Sequence, residues 1–279
     1  MSEPFIGSEA LVQGRLTKSQ LRTRYTRLFP DVYVDPDIEM TAALRAAAGW
    51  LWAQRRGVVA GFSAAALHGS NWVDDTRAVE FIHDNRHRLP GIQIRGDRLQ
   101  QDEIDMLAGI PVTSPARTAL DLGCWYPRSE AVAAIDALGR ATDLKMPDVD
   151  LLLERYPGRR GIRQARIALS LFDAGAQSPK ETWLRLLLMQ AGLPRPQTQI
   201  PIRGEFGNTI AYLDMGWEDV KVAVEYDGEQ HRRDRRQYTW DIRRLEMLHR
   251  LGWIVVRVVA GDGPTEIISR VRAALARRA

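Results

Sequence analysis

The chain has 279 residues, 45% of them hydrophobic and 27% charged, and a formal net charge of +4. This length and hydrophobic content suffice for buried cores and for two domains, so the composition argues against a disordered chain. The single cysteine, Cys124, excludes an internal disulfide framework. No segment approaches the roughly 20 apolar residues of a membrane helix, and residues 1–5 lack signal-peptide features. We therefore expect a soluble, cytoplasmic protein.

The charge is unevenly distributed. Residues 1–173 carry 22 basic and 22 acidic side chains, so the whole positive excess lies in residues 174–279. This asymmetry favours a polyanionic partner for the C-terminal part. The alternative is a solvated basic surface that has no partner.

Residues 6–40 contain a candidate winged-helix unit. Short helices are predicted over Ile6–Leu11 and Leu16–Leu21, the second N-capped by Thr17, and Phe29–Val34 alternates with the period of a strand. Two helices followed by a strand favour a winged helix, although the segment is cramped and not notably basic.

The rest of residues 1–173 is predicted to be mainly helical, with two strands at 79–83 and 92–95. Helices are predicted within residues 41–54, 63–68, 131–138, 146–153 and 161–171. The helix that begins near Ser114 is the best specified, because Ser114 caps it and Pro115 occupies its first position. Residues 174–177 are the best linker candidate. We therefore predict an α+β domain at 1–173 and a second domain at 174–279.

After the linker, the predicted element order is αβββαβα. A helix starts at Ser178-Pro179 and ends near Gln190, and strands follow near residues 198–203, 209–214 and 220–226. A helix at 238–251, a strand at 253–259 and a helix from Pro264 complete the chain. The nearly continuous apolar run Ile254–Val259 fits a sheet that is covered on both faces, so the predicted fold class is α/β.

Carboxylates stand at the ends of two predicted strands. Asp214 ends the second strand, and Glu225 and Asp227 end the third, directly after the apolar run Val222–Val224. If these strands pair as a hairpin, the carboxylates converge and suit Mg²⁺ or Mn²⁺. Such an ion polarises a phosphate and supplies hydroxide. The alternative is that Asp227-Gly228 is a turn and Glu225 a solvated strand end.

Basic residues follow this acidic set. His231 is a candidate general acid or base, or a phosphate contact. The arginines suit a nucleic-acid backbone, with a solvated face as the alternative. They are Arg232, Arg233, Arg235, Arg236, Arg243 and Arg244. Arg244 is also spaced to pair with Asp241 on the same helix.

Glu181 has two candidate roles. With Ser178 it forms a capping-box pattern at the start of a helix. It can instead face the other carboxylates across the sheet, and the sequence leaves both roles open.

Motifs between Glu181 and Val259 resemble the very-short-patch-repair-like branch of the PD-(D/E)XK nuclease superfamily. They are Glu181, Asp214, the run Glu225-Tyr226-Asp227-Gly228-Glu229-Gln230-His231, Asp241-Ile242-Arg243-Arg244 and Gly252-Trp253. The resemblance implies a PD-(D/E)XK-type αβββαβα domain with a central mixed sheet. It also implies a catalytic set of Glu181, Asp214, Glu225, Asp227 and His231, with the metal bound by the first three. Asp227 stands where the superfamily usually has a lysine, and this difference affects the expected rate of turnover.

Residues 16–21, 31–34, 64–69 and 113–118 resemble the antitoxin of AbiE-type toxin–antitoxin systems. This resemblance implies an N-terminal winged helix, transcriptional repression and a protein partner. Together the two resemblances predict a divalent-metal-dependent deoxyribonuclease, endo- or exonucleolytic, acting on single- or double-stranded DNA in repair or defence. The alternative is a non-catalytic DNA-binding regulator or antitoxin that keeps a degenerate nuclease fold.

Overall fold

The structure, a computed structural model, describes residues 3–84, 89–204, 207–227 and 235–278; between 235 and 242 it describes the backbone only. The chain divides into two compact units, residues 1–172 and 173–279. This boundary lies one residue from the one that the linker suggests. Both units combine helices with sheets, so the protein belongs to the mixed α/β class. Within the described ranges, no helix is long and apolar enough to cross a membrane.

The first unit begins with a small three-stranded sheet and two helices. They are β1 (Phe5–Ile6), α1 (Gly7–Val12), α2 (Lys18–Arg24), β2 (Thr26–Phe29) and β3 (Val32–Val34), with sheet order β1-β3-β2. Thr17 caps α2 in a reciprocal box with Gln20, as predicted. The single strand predicted over 29–34 is wrong, because Asp31 has a φ of +61° and reverses the chain between β2 and β3. Two helices followed by this hairpin have the element order of a winged helix.

A five-stranded sheet and its helices complete the first unit. The strands are β4 (Val58–Val59), β5 (Val79–Ile82), β6 (Ile92–Arg95), β7 (Ile104–Leu107) and β8 (Ile110–Thr113), in the order β6-β5-β4-β8-β7. The helices are α3 (Ala42–Trp52), α4 (Gly61–Leu67), α5 (Pro115–Trp125), α6 (Arg128–Ala141), α7 (Met146–Arg155) and α8 (Ile162–Ser170). The strands predicted at 79–83 and 92–95 are confirmed, and they pair in parallel. Strands β4, β7 and β8 were not predicted, and β4 has only two residues, too few for alternation to be recognised.

A buried ion-pair network ties these elements together. Arg117 of α5 donates from Nε to Asp121 at 2.8 Å and from Nη1 to Glu103. Arg159 also donates to Asp121, at 2.6 Å, and Arg155 donates to Glu103 at 2.7 Å. Burial raises the pKa of Asp121, while Arg117 and Arg159 act in the opposite direction. The network joins α5 and α7 to the segment before β7.

The second unit has the predicted order αβββαβα. Its elements are α9 (Pro179–Gln190), β9 (Gln197–Arg203), β10 (Thr209–Trp217), β11 (Val222–Asp227), α10 (Arg235–Arg250), β12 (Ile254–Val259) and α11 (Pro264–Ala276). The sheet order is β12-β11-β10-β9, antiparallel except for the parallel pair β11–β12, so the sheet is mixed. One apolar core lies between the sheet and α9 and α11, and another lies between the sheet and α10. The sheet is therefore covered on both faces.

Candidate active site

The regular alternation of side chains along β10 is interrupted at Asp214. Leu213 belongs to the core under α10, whereas Met215 belongs to the core under α9 and α11. In a regular strand these two residues would share a face, so the alternation breaks at Asp214. The prediction that the strand ends at Asp214 is wrong, because β10 continues to Trp217. Asp214 thus occupies a distortion inside a strand.

The neighbouring strand is distorted at the same level. Pairing of Leu213 with Ile200 and of Met215 with Thr198 sets Gln199 opposite Asp214. Gln199 has a φ of +51°, an uncommon conformation for a residue other than glycine. Such backbone conformations cost on the order of 1–3 kcal/mol and concentrate at functional sites. Both β9 and β10 are therefore distorted at the level of Asp214.

The distortion brings two carboxylates onto adjacent strands. Met215 pairs with Val224, and continuing this register by one residue sets Asp214 opposite Glu225. The Oδ2 atom of Asp214 accepts a hydrogen bond from the backbone N–H of Tyr226 at 2.9 Å. The Asp214 side chain therefore points into the gap between β10 and β11. The hairpin predicted between these strands is confirmed, and it does bring their acidic residues together.

The electrostatics of Asp214 show that like charges surround it. Burial raises the pKa of Asp214 to about 7, and the negative charges of Glu181 and Glu225 contribute in the same direction. The hydrogen bond from Tyr226 and the charge of Arg244 only partly offset them. Glu181 and Glu225 therefore lie close enough to Asp214 for their charges to act on its titration.

Glu225 is held by an arginine. Its side chain is buried, with the residue 7% exposed, so the alternative of a solvated strand end is wrong. The guanidinium of Arg244, on α10, donates to both carboxylate oxygens, from Nη1 to Oε2 at 3.0 Å and from Nη2 to Oε1. Nη2 also donates to the backbone oxygen of Tyr212 at 2.7 Å. This fork fixes the orientation of Glu225 and supplies its counter-charge.

Glu181 adopts the capping role that the sequence left open. Its Oε2 accepts from the backbone N–H of Gln177 at 2.8 Å, and its Oε1 accepts from the hydroxyl of Ser178 at 3.0 Å. The Ser178 hydroxyl in turn accepts from the backbone N–H of Glu181. Glu181 therefore closes the start of α9 while its charge acts on Asp214. Its assignment as a third metal ligand stays a prediction.

Asp227 is engaged on the side of β12. The Nη2 atom of Arg257 donates to Oδ2 of Asp227 at 2.6 Å, and Arg257 pairs with Glu225 in the register of β11 and β12. A cation thus stands beside the position at which the resembled superfamily has a lysine. The sequence offered one signal for it, because Arg257 is the sole charged residue in the apolar run Ile254–Val259.

The carboxylates suit a hard divalent cation in ligand type, because Mg²⁺ and Mn²⁺ prefer oxygen ligands. Burial is the largest cause of the raised pKa of Asp214, and the negative charges of Glu181 and Glu225 add to it. In the described arrangement, however, no three His, Cys, Asp or Glu side chains converge to hold an ion. An ion held by Asp214 and Glu225 would have to share Glu225 with Arg244, which donates to both of its carboxylate oxygens.

The predicted basic track is only partly within the described residues. His231, Arg232 and Arg233 lie outside them, as do the side chains of Arg235, Arg236 and Asp241. Arg243 is exposed, as a phosphate contact requires. The guanidinium of Arg244 is directed at Glu225 and Tyr212, and its role as a phosphate contact stays a prediction.

Two relatives share much of this chain. They are the uncharacterized proteins MT2308 and Rv2248 of Mycobacterium tuberculosis, from strains CDC 1551 / Oshkosh and ATCC 25618 / H37Rv. Each is 29% identical over 200 residues, which cover 72% of this chain and 73% of the relative. No protein-family model matches the chain, and no solved structure matches it significantly. The residues of the site are therefore the basis for a functional proposal.

Proposed function

We propose that the second unit is a divalent-metal-dependent nuclease that hydrolyses DNA phosphodiester bonds. One observation carries the proposal: Asp214 lies at a distortion of the sheet, and burial together with Glu181 and Glu225 raises its pKa to about 7. Strongly perturbed carboxylates that gather like charges are typical of functional sites. The element order αβββαβα and the acidic motif agree with the resemblance to PD-(D/E)XK nucleases.

Asp214 and Glu225 are the expected metal ligands, and Glu181 is a third if it leaves its cap. A bound Mg²⁺ or Mn²⁺ supplies Lewis-acid polarisation of a phosphate and a hydroxide at neutral pH. Arg244 orients Glu225 through its two-pronged contact. Arg257 places a positive charge next to Glu225, where it can stabilise charge that develops on the phosphate.

The test is cleavage by the full chain. The purified protein is incubated with single-stranded, duplex and mismatched DNA and with Mg²⁺ or Mn²⁺, beside Asp214→Ala and Glu225→Ala. Even the partners of metal ligands typically contribute about 10–100-fold, so loss of a ligand should lower cleavage by more than about 100-fold. The matched control is Glu218→Ala, an exposed acid in the turn between β10 and β11. Cleavage that survives both substitutions would falsify the assignment.

A second candidate function, a DNA-binding regulator, is favoured by the winged-helix segment. Residues 10–30 contain no acidic side chain, and all five basic residues among them are exposed. They are Arg15, Lys18, Arg22, Arg24 and Arg27. Residues 6–40 as a whole carry five basic and five acidic side chains, so the segment is not basic overall, as predicted, but its basic residues are all within residues 10–30.

The regulator is distinguished from the nuclease by binding without cleavage. Duplex binding in EDTA that weakens steeply with salt, and weakens further in Arg22→Glu/Arg24→Glu, would support it. If no substrate is cleaved with either metal, regulation becomes the better explanation for both units.

A further inference from the structure

Part of one face of the second unit's sheet is exposed close to Asp214. On β10, Ile210 is 37% exposed and Tyr212 is 55% exposed. The residues that alternate with them, Ala211 and Leu213, are buried under α10. Tyr212 lies between these two residues, so its side chain points to the opposite face. Ile210 lies at a register shift between Thr209 and Ala211, where alternation assigns no face.

The edge strand β9 contributes to the same face. Pro201 pairs with Tyr212, and Arg203 pairs with Thr209. Since Ile202 lies in the core under α10, Pro201 and Arg203 point to the opposite side. We call Pro201, Arg203 and Tyr212 the open face.

The open face adjoins the candidate active site. Tyr212 precedes Asp214 by two residues, about 7 Å along a strand. The backbone oxygen of Tyr212 accepts a hydrogen bond from Arg244, the residue that holds Glu225. Glu225 lies on the other face of the sheet, where Arg244 of α10 holds it, so a molecule that covers the Tyr212 ring approaches Asp214 first.

The chemistry of the open face fits a nucleobase. Tyr212 offers an exposed aromatic ring, and Pro201, its partner on β9, adds apolar surface. The Arg203 guanidinium donates to Oγ1 of Thr209 at 3.1 Å, remains exposed, and can contact a phosphate. Single-stranded nucleic acids are bound by this combination of stacking rings and cations. The bases of a duplex are already stacked on each other and cannot use the ring.

A second protein chain fits this face less well. β9 is the edge of the sheet among the described strands, but Pro201 lacks the N–H that strand pairing requires. The positive excess of residues 174–279 also favours a polyanion over a second copy of this basic unit.

We propose that the open face binds the unpaired bases of a single DNA strand, with Tyr212 as the stacking platform that leads the strand to Asp214. This proposal rests on the nuclease function and adds its substrate class: single-stranded DNA, or an unpaired segment within a duplex. Tyr212 acts as a specificity-determining residue through base stacking and takes no part in the bond cleavage.

The test is binding in EDTA, where no cleavage occurs. Fluorescence anisotropy compares an oligothymidine with an abasic oligodeoxynucleotide of equal length, which keeps the phosphates and removes the bases. The wild-type chain should prefer the oligothymidine. Tyr212→Ala should weaken oligothymidine binding by about 5- to 150-fold for one stacked base and leave binding of the abasic strand unchanged.

Two variants serve as controls. Tyr212→Trp keeps an aromatic surface and should retain the preference for bases. Trp72→Ala removes an exposed aromatic residue of the first unit, which is 64% exposed, and should change neither affinity. If Tyr212→Ala unfolds, as judged by circular dichroism, base binding is still tested by the wild-type comparison of the two strands and by Tyr212→Trp.

Three results would overturn the proposal: equal wild-type affinity for both strands, unchanged oligothymidine binding in folded Tyr212→Ala, or a change of oligomeric state in Tyr212→Ala by light scattering. The last result would make the open face a contact between copies.

The nuclease proposal is tested separately, by metal-dependent cleavage. Base-dependent binding without cleavage would refute the nuclease proposal and leave the open face as a single-strand binding surface.

Discussion

The two units bury their acidic residues in opposite electrostatic settings. In the first unit, Asp121 and Glu103 both receive hydrogen bonds from Arg117, so opposite charges lie together. In the second unit, Asp214 lies near Glu181 and Glu225, and like charges lie together. Burial raises the pKa of Asp121 and of Asp214 alike. Burial alone therefore does not identify an active site.

The sign of the neighbouring charges is what differs. Arg117 and Arg159 oppose the rise in the pKa of Asp121, whereas Glu181 adds to the rise at Asp214. Paired charges of the first kind hold elements in place. Carboxylates that lie near each other cost folding free energy, and their presence together favours a role in binding a cation.

The largest effect on stability is expected in the paired network. Arg117→Met removes the buried cation and leaves Asp121 and Glu103 undercompensated, at a cost of about 3–5 kcal/mol in the free energy of unfolding. Hydrogen exchange should show lost protection within residues 1–172, while 173–279 keeps its protection. Arg155→Met, which removes a more exposed member of the network, should cost less. Equal costs for the two variants would contradict the structural role of Arg117.

The next effect concerns Asp214 and pH. Its folded pKa of about 7 exceeds the ordinary 3.8, so the native state holds a proton that the unfolded state has released between these values. The wild-type protein therefore loses stability as pH rises from 4 to 7, and the full penalty applies above 7. In EDTA, Asp214→Asn should match the wild type near pH 4 and exceed its free energy of unfolding by about 2–4 kcal/mol at pH 8. Urea unfolding at several pH values measures the difference, and a constant difference would refute the raised pKa.

Two effects of Glu181, its negative charge and its contribution to the cap of α9, can be tested separately. Glu181→Gln removes the charge that raises the pKa of Asp214, so the midpoint of the pH-dependent stability should move below 7. Ser178→Ala removes the cap at a cost of about 1 kcal/mol and keeps the charge, so the midpoint should stay. The same urea series reports both quantities. A midpoint that moves with Ser178→Ala alone would make the cap the origin of the shift.

The smallest effect is expected at Asp227. Its partner Arg257 is 38% exposed at the side chain, so Asp227→Asn should cost less than about 1 kcal/mol. If Arg257 provides the positive charge at this position, cleavage should fall only a few-fold, far less than in Asp214→Ala. A loss comparable to that of Asp214→Ala would place Asp227 among the metal ligands.

Local sequence information was sufficient for much of the second unit. The order αβββαβα follows from apolar periodicity and from turn residues, and Ser178 and Thr17 cap their helices as their positions predict. Asp214 and Glu225 were identifiable because carboxylates interrupt or follow apolar strands. These features depend on residues a few positions apart, which is why the sequence alone determined them.

Other features depend on contacts between distant residues. The reversal of β10 at Asp214 depends on β9, the fork on Glu225 comes from Arg244, and Asp227 is held by Arg257 from the next strand. The parallel pairing of β5 and β6 and the hairpin of β2 and β3 are likewise invisible to periodicity. Register and side-chain partners arise when strands and helices pack. The sequence by itself therefore determined which carboxylates interrupt or follow apolar strands, and only the tertiary structure decided which charges lie near each of them.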